Sequence, residues 1–297
     1  MASEASRPAS LMQTTRQLLS RFDQRAKKSL GQHFLVDAGV LHKIIEAAEL
    51  SPGDTVIEVG PGLGVLTAEL TRRAGRVIAV ELDDNLAVVL KDTLSWAENL
   101  AVVHGNILEL APSQLLENSV KPSFRLNGGG YKVVANLPYY ITSAVLRHFL
   151  EAEVKPSLMV VMVQKEVARA ITAQPGEMSL LSVAVQFYGE PKIISKVPAR
   201  SFYPAPNVDS AILKIKVYPT PPLPAADTEG FFGLVRAGFC ANRKQLVNSL
   251  AQGLAIPKDR VLLLLTQAGI EPRRRAETLS IKEWGDLWSA FKRRNGQ

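Results

Sequence analysis

The stretch Thr55-Val-Ile-Glu58-Val-Gly60-Pro-Gly62-Leu-Gly64 decides the fold. Its β-branched first half predicts a buried strand, and its glycines predict a tight turn into a helix over 64–72. Glycines at such a junction let a ligand approach the main chain closely. Glu81 ends the next predicted strand, where a carboxylate can accept hydrogen bonds from both hydroxyls of a ribose. The two features indicate a nucleoside-containing cofactor, with a purely structural turn as the alternative.

Strands and helices alternate after this turn. The predicted strands are 76–81, 101–104, 133–136 and 158–163, and the predicted helices are 83–96, 143–150 and one that begins within 166–171. Such alternation is typical of βαβ units and a parallel sheet, so the predicted fold class is α/β. Two later strands, 181–187 and 211–217, are predicted to close the sheet as an antiparallel pair.

The composition is that of a folded chain with two domains. The chain has 297 residues, of which 46% are hydrophobic, and no apolar run is long enough for a bilayer-spanning helix. We expect a flexible N-terminal extension over 1–26, with a short helix at 11–22, and an α/β domain over 27–218. A proline-rich linker at 219–224 precedes a helical domain over 225–297, with helices at 231–240, 243–250, 258–267 and 281–293. The stretch 116–132, with three successive glycines, is predicted to be a flexible surface insertion.

The distribution of charge and the reactive side chains limit the possible partners and functions of the protein. The net charge is +7, divided as +4 over 1–35, −2 over 36–220 and +5 over 221–297. Basic ends on a near-neutral body suggest a polyanionic partner, although the charge could serve solubility alone. Cys240 is the only cysteine, so no intrachain disulfide can form, which fits a cytoplasmic protein. The four histidines have no metal-ligand spacing, and we expect no metal site.

Further motifs follow the predicted strands. Asn106 follows the third and could contact an adenine edge, although an ordinary loop asparagine is the simpler interpretation. Asn136-Leu137-Pro138-Tyr139 ends the fourth and combines acceptors with a flat ring, which suits an amine on a planar base. Phe202 precedes the last strand and could form a second wall for that base, or it could be a core residue. Lys27 and Lys28 could contact phosphates.

These motifs in this order resemble the small-subunit ribosomal RNA adenine N6-dimethyltransferase family. The matching segments are KKSLGQHFL (27–35), EVGPGLG (58–64), VELD (80–83), GNIL (105–108), NLPYYITS (136–143), VQKEVA (163–168), FYPAPNVDSAIL (202–213) and ETLSIKEW (277–284). They cover almost the whole chain from residue 27. The resemblance implies a class I, Rossmann-like methyltransferase that uses S-adenosylmethionine to dimethylate two adjacent adenosines near the 3′ end of small-subunit RNA.

The resemblance also implies roles for individual residues. The implied cofactor contacts are His33, Leu35, Gly60, Gly62, Glu81, Asn106 and Asn136. The target adenine would lie between Tyr139 and Phe202, beside acceptors of the Asn136-Leu137-Pro138 turn. Position 106 is usually aspartate in the family, so its contact with the cofactor adenine is expected to differ in orientation. The implied partner is small-subunit ribosomal RNA or a pre-30S particle. Independently of the resemblance, we expect a cytoplasmic protein that binds no membrane, with a monomer as the default oligomeric state.

The helical domain is expected to dock RNA. Its candidate phosphate contacts are Arg243, Lys244, Arg273, Arg274 and Arg275, although each could be an ordinary solvated charge. Three alternative functions stay open: a large-subunit RNA dimethylase, a non-catalytic RNA-binding assembly or transcription factor, and a nicotinamide dehydrogenase. The intact motifs argue against the second, and the G-x-G-x-G spacing argues against the third.

Overall fold

The structure is a computed structural model that describes residues 10–27, 30–118, 130–220, 222–223, 225–241 and 243–295. The chain forms two compact units. The first reaches to Ala168 and resumes over Lys192–Val217, and the second comprises Arg169–Pro191 and the chain from Tyr218 onward. The sequence analysis expected all of 27–218 in the first domain, whereas the structure groups Arg169–Pro191 with the second unit. The predictions for residues 1–9, and for 119–129 within the expected insertion, lie outside the described residues.

The helices and strands follow one another in a regular order. They are α1 (Leu11–Arg21), β1 (Phe34–Leu35), α2 (Ala38–Ala48), β2 (Thr55–Val59), α3 (Val65–Thr71), β3 (Arg76–Glu81), α4 (Asp84–Thr93), β4 (Leu100–His104), α5 (Pro112–Asn118), β5 (Lys132–Asn136), α6 (Thr142–Leu150), β6 (Leu158–Gln164), α7 (Lys165–Ile171), α8 (Leu180–Gln186), β7 (Gly189–Val197), β8 (Phe202–Tyr203), β9 (Ser210–Val217), α9 (Ala225–Phe239), α10 (Leu246–Leu254), α11 (Lys258–Gln267) and α12 (Ile281–Asn295).

The large sheet has the strand order β4-β3-β2-β5-β6-β9-β7. The strands from β4 to β6 are parallel, and β9 lies antiparallel to β6. The α/β prediction and the antiparallel strand at 211–217 are therefore confirmed. The chain runs outward from β2 to β4, then returns to place β5 on the other side of β2. This change of direction opens a crevice at the carboxyl ends of β2 and β5, where ligands bind in sheets of this kind.

Apolar strands and capped helices explain why the sheet forms. All six residues of β3 are buried, as is β6 up to its last residue. Such continuous runs suit parallel strands that are covered on both faces. Two aspartates begin the neighbouring helices: Asp37 accepts hydrogen bonds from the Gly39 and Val40 amides, and Asp83 accepts one from the Asn85 amide. These contacts satisfy N–H groups that a helix end leaves free.

Residues 181–187 were predicted as a strand, and this is wrong. All but the last of these residues lie in α8 (Leu180–Gln186). The helix begins after Ser179: the Ser179 hydroxyl accepts from the Ser182 amide, and the Ser182 hydroxyl accepts from the Ser179 amide. This reciprocal cap favours a helix despite the valines. The extended segment follows it, as β7.

The expected flexible extension also has to be corrected within its described part. Ser10 caps α1, and the apolar side of this helix packs around Leu19. Its neighbours there include Phe34, Leu63 and Leu86. The Arg16 guanidinium lies over the Tyr203 ring, 5.2 Å from its centroid. The helix at 11–22 was therefore predicted correctly, but it is packed into the core of the first unit and is not a flexible extension.

The second unit is built on aromatic side chains. The rings of Phe187 and Phe231 stack with centroids 4.8 Å apart. Trp284 is fully buried, and a side chain at Gly238 would collide with it, since a Cβ there would lie 2.4 Å from the indole. The predicted helix at Lys258–Gln267 is confirmed at both ends, whereas α10 begins at Leu246 and not at 243. In the described part of the chain, no helix is long and apolar enough to span a membrane.

Candidate active site

One cavity of the first unit lies at the carboxyl ends of β2, β3, β4 and β5. Every predicted cofactor residue lines it: His33, Leu35, Gly60, Gly62, Glu81, Asn106 and Asn136. Leu137, Pro138 and Tyr139 line it as well. The structure therefore brings together residues that are up to about a hundred positions apart in sequence.

The glycine turn brings the main chain to the cavity wall. Gly60, Gly62 and Gly64 all have left-handed backbone conformations, with φ of 65°, 59° and 81°. Residues other than glycine rarely adopt these backbone angles. A Cβ on Gly62 would also lie 3.2 Å from the Phe34 ring. The positive φ of Gly62 and the short distance to Phe34 both require glycine at this position. The absence of a side chain leaves a narrow cradle beside the backbone.

Glu81 connects the turn to the next helix. One carboxylate oxygen accepts from the Gly62 amide at 3.0 Å, and the other accepts from the Asp83 amide at 2.9 Å. Burial raises the pKa of Glu81, while these amides act in the opposite direction. A carboxylate has about four acceptor positions. The acceptor positions that the backbone leaves can accept from a ribose.

Glu58 is a buried carboxyl to which the sequence assigned no role. It lies on β2, is 1% exposed, and its Oε2 has no hydrogen-bond partner within the described residues. Burial is the main cause that raises its pKa to about 8; the Thr67 hydroxyl lowers the pKa and the charge of Glu81 raises it further. Glu58 is therefore neutral at pH 7 in this structure. It lines the same cavity.

Asn106 is fixed by two contacts. Its Oδ1 accepts from the Leu108 amide at 3.1 Å, and its Nδ2 donates to Glu109 Oε1 at 2.8 Å. Only an amide can satisfy both groups, because an aspartate would face the Glu109 carboxylate with a like charge. The departure from the family's usual aspartate is thus matched by Glu109.

A hydrogen bond joins the turn at Asn136 to the segment before β1. Asn136 Nδ2 donates to the His33 carbonyl at 3.0 Å, so its Oδ1 stays available as an acceptor. His33 Nδ1 lies 2.7 Å from the Pro204 carbonyl. A carbonyl can only accept, so His33 Nδ1 donates this hydrogen bond. The turn is closed by a hydrogen bond from the Ile141 amide to the Pro138 carbonyl at 3.2 Å.

Tyr139 is held at both ends. Its hydroxyl lies 2.7 Å from Ser210 Oγ, and its ring stacks on His33 with centroids 5.9 Å apart. Burial raises the pKa of Tyr139, so the phenol stays protonated. Pro204 and Ser210 lie in the matching segment 202–213, but the sequence gave them no role in the site, because both approach it through long-range contacts.

Phe202 does not reach this cavity, contrary to the predicted base sandwich. Its side chain is 2% exposed and belongs to the core around Ile44. The physical reason is a long-range strand pairing: β8 lies antiparallel to β1, with Phe202 opposite Leu35. The alternative that the sequence left open, a core residue below a rigid loop, describes its position in this structure.

Lys27, a predicted RNA contact, has an acidic partner. Its Nζ lies 2.7 Å from Asp83 Oδ2, and this hydrogen bond raises the pKa of Lys27. Gln32 reinforces the contact, since it donates to Asp83 and accepts from the Lys27 amide. Lys27 therefore anchors the segment before β1. Lys28 lies outside the described residues.

The predicted basic contacts of the second unit fall into two groups. Arg274 pairs with Glu283 and donates to the Thr278 carbonyl, so it joins the chain before α12 to that helix. This side chain is a structural element and not a free cation. Arg243, Lys244, Arg273 and Arg275 are all exposed. Among the described residues, no three histidine, cysteine or acidic side chains cluster closely enough to hold a metal ion.

Known proteins are similar to this chain in sequence and in fold. Chains named ribosomal RNA small subunit methyltransferase A are 54% identical over 275 residues in Dehalococcoides mccartyi and 42% identical over 275 residues in Clostridioides difficile. These matches cover 93% and 92% of this chain and 91% and 93% of the relatives.

Two solved structures extend the comparison. A dimethyladenosine transferase from Plasmodium falciparum has a TM-score of 0.74 at 25% identity, with 89% of this chain and 98% of that chain covered. The 23S rRNA methyltransferase ErmE has a TM-score of 0.68 at 32% identity, with 87% and 99% covered.

The strand order, the glycine turn with Glu81 and the turn at Asn136 define a class I, Rossmann-like methyltransferase that uses S-adenosylmethionine. The sequence profile described as "Ribosomal RNA adenine dimethylase" matches residues 23–292. The chain therefore belongs to the ribosomal RNA adenine dimethylase family.

Proposed function

We propose that the protein transfers methyl groups from S-adenosylmethionine to N6 of two adjacent adenosines near the 3′ end of small-subunit ribosomal RNA. The observation that carries this function is the meeting of the Asn136-Leu137-Pro138-Tyr139 turn with the glycine turn and Glu81 in one cavity. One half of the cavity suits a nucleoside cofactor and the other suits a planar amine. The names of the relatives from D. mccartyi and C. difficile support the small subunit as substrate.

The cavity fits the cofactor chemically. Its polar side-chain groups are the Glu81 carboxylate and Asn136 Oδ1, which accept, and the neutral Glu58 carboxyl, which can both donate and accept. Such a set suits a ligand with ribose hydroxyls, an ammonium group and a sulfonium. The cradle at Gly62 would be filled by any side chain placed there. His33, Leu35, Gly60, Gly62, Glu81 and Asn106 are the residues that would hold the cofactor.

The protein's own groups position the adenine. The bound cofactor supplies a methyl group on a positively charged sulfur, which is electrophilic. Asn136 Oδ1 and the Leu137 carbonyl accept hydrogen bonds from the N6 hydrogens and so direct the nitrogen lone pair towards that methyl group. The Tyr139 ring lies against the base. No strong base is needed, because the methylated nitrogen can release its proton to water. Since the adenine must leave its stack, a single-stranded loop is the suitable substrate.

The second unit supplies RNA contacts in this proposal. Arg243, Lys244, Arg273 and Arg275 are exposed cations that can approach phosphates. Binding through them should weaken steeply as salt increases, because neutralised phosphates release counterions. The relatives named above include bacteria, which assemble ribosomes in the cytoplasm. This supports a cytoplasmic location, and we propose that the protein acts there as a monomer on a pre-30S particle.

Labelled S-adenosylmethionine tests the proposal directly. The substrates are unmethylated small ribosomal subunits and, separately, large-subunit RNA. We expect label on two adjacent adenosines of small-subunit RNA. Label in large-subunit RNA alone would favour an activity like that named for ErmE. Cofactor binding without label in either would indicate a non-catalytic RNA-binding protein.

Asn136→Ala tests the site assignment. We expect it to abolish methyl transfer and to leave cofactor binding, measured by calorimetry, partly intact. Full turnover by this variant would contradict the mechanism.

A further inference from the structure

Tyr140 is an exposed aromatic residue at the rim of the active-site cavity. It is 60% exposed, although its ring borders the cavity that Asn136 and Tyr139 also line. Its hydroxyl has no hydrogen-bond partner in the described part of the chain. Neither the cofactor contacts nor the adenine contacts described above use this side chain.

The backbone explains why Tyr139 and Tyr140 point in different directions. Both lie in the 3₁₀ turn Tyr139–Ile141, where successive residues are rotated by about 120°. Tyr139 points inward to Ser210 and His33. Tyr140 therefore points outward from the same turn. Two aromatic rings, one inside and one at the mouth, are attached to consecutive backbone positions.

The chain around Gly31 supports the outer ring. Gly31 has a φ of 59°, and a Cβ built on it would lie 3.5 Å from Tyr140 Cδ1 and 3.6 Å from Cε1. The Gly31 turn thus passes close to one side of the ring, and a side chain placed there would touch it. The rest of the ring stays exposed.

The reaction creates a need for such a ring. When the target adenine leaves its stack, the neighbouring base loses a stacking partner and exposes an apolar face. An aromatic side chain at the entrance can replace that partner without reading the sequence. The substrate of the proposed function has a second adenosine directly beside the target, so a purine is always present there.

We propose that Tyr140 is a positioning residue that stacks on the nucleotide next to the target adenosine and so holds the RNA at the entrance of the site. This inference rests on the proposed function, because it needs an RNA substrate whose target base leaves its stack. Stacking of one base on one aromatic side chain corresponds to roughly 5- to 140-fold in affinity. The effect falls on RNA binding and not on cofactor binding.

The test pairs changes in the protein with changes in the RNA. Small subunits are reconstituted with three RNAs. One carries both adenosines. In the other two, either the first or the second adenosine is replaced by an abasic nucleotide. The enzymes are wild type, Tyr140→Ala and Tyr140→Phe, with Trp96→Ala as control, since Trp96 is 52% exposed and does not line the cavity. The measurements are kcat/KM for methyl transfer and the dissociation constant of S-adenosylmethionine.

We expect Tyr140→Ala to reduce kcat/KM roughly 5- to 140-fold on the adenosine pair and to have little effect on at least one abasic substrate. Tyr140→Phe and Trp96→Ala should resemble wild type, and cofactor affinity should not change. Equal losses on paired and abasic substrates, no loss on the pair, or weaker cofactor binding would each overturn the role of Tyr140. If wild type transferred no methyl group to the pair, the proposed function itself would fail, which is a different result.

Discussion

Replacing Glu58 by glutamine should make the protein more stable above neutral pH. Glu58 is 1% exposed, and burial is the largest cause that raises its pKa from 4.5 to about 8. In the unfolded chain the same carboxyl loses its proton near its ordinary pKa. Between these two values the folded state holds a proton that the unfolded state has released. The stability of wild type therefore falls as the pH rises through this window.

The size of the effect follows from the shift. Each pKa unit corresponds to about 1.4 kcal/mol, so a shift from 4.5 to about 8 gives a loss of up to about 5 kcal/mol once the pH exceeds 8. At pH 7 the loss is about 3 kcal/mol. Glutamine has nearly the shape of the protonated carboxyl and does not titrate. At about 2 °C per kcal/mol, the difference in Tm should approach roughly 10 °C at high pH.

Calorimetry at pH 5, 6, 7 and 8.5 measures this difference. Glu58→Gln and wild type should have similar Tm values at pH 5, and the variant should be increasingly favoured towards pH 8.5. Glu98→Gln, an exposed change in the same unit, is the control and should follow wild type throughout. A Tm difference that does not depend on pH, or a variant that loses stability at high pH, would refute the reasoning.

Three further changes test other parts of the molecule. Glu283→Gln removes the ion pair with Arg274, which lowers the pKa of Glu283 to about 2. The variant should lose about 1–2 kcal/mol of unfolding free energy at pH 7, measured by denaturant titration. This difference should fade as the pH drops from about 4.5 towards 2, because wild type then loses the same charge. Asn106→Asp places a second carboxylate beside Glu109 and should lower Tm by about 2 °C, whereas the double variant with Glu109→Gln should recover it; no recovery would contradict the role given to that contact. Gly62→Ala requires a left-handed alanine and brings its Cβ 3.2 Å from the Phe34 ring, so we expect a loss of about 1–2 kcal/mol in stability and weaker cofactor binding by calorimetry; an unchanged dissociation constant would show that the cradle is not used.

The parallel sheet could be predicted because its signals are local. The strands at 55–59 and 76–81 match β2 and β3 at both ends, since β-branched runs between glycines or polar residues give a strong pattern. The segment 181–187 misled the prediction because its valines favour a strand, while the deciding contact is the reciprocal cap between Ser179 and Ser182. That cap lies within the sequence and could have been noticed.

The residues of the site also differ in how far the sequence could predict their positions. Residues of the glycine and Asn136 turns were predictable because short motifs place them at strand ends. Phe202 was not, because its burial depends on β8 meeting β1, more than 160 positions earlier in the chain. The partner of Tyr139, Ser210, depends on β9 lying beside β6. Long-range pairing of this kind leaves no local pattern in one sequence.

The packing of α1 has a consequence for how occupancy of the site can be detected. Leu19 on this helix shares an apolar cluster with Phe34 and Leu63, and both of these also line the cavity. A ligand that holds these two side chains in place should also suppress transient detachment of the helix. Arg21, the last residue of this helix, and Arg25, four residues later, are both exposed and are cleavage points for trypsin. The rate at which trypsin shortens the N-terminal end of the chain should therefore fall as the cofactor concentration rises.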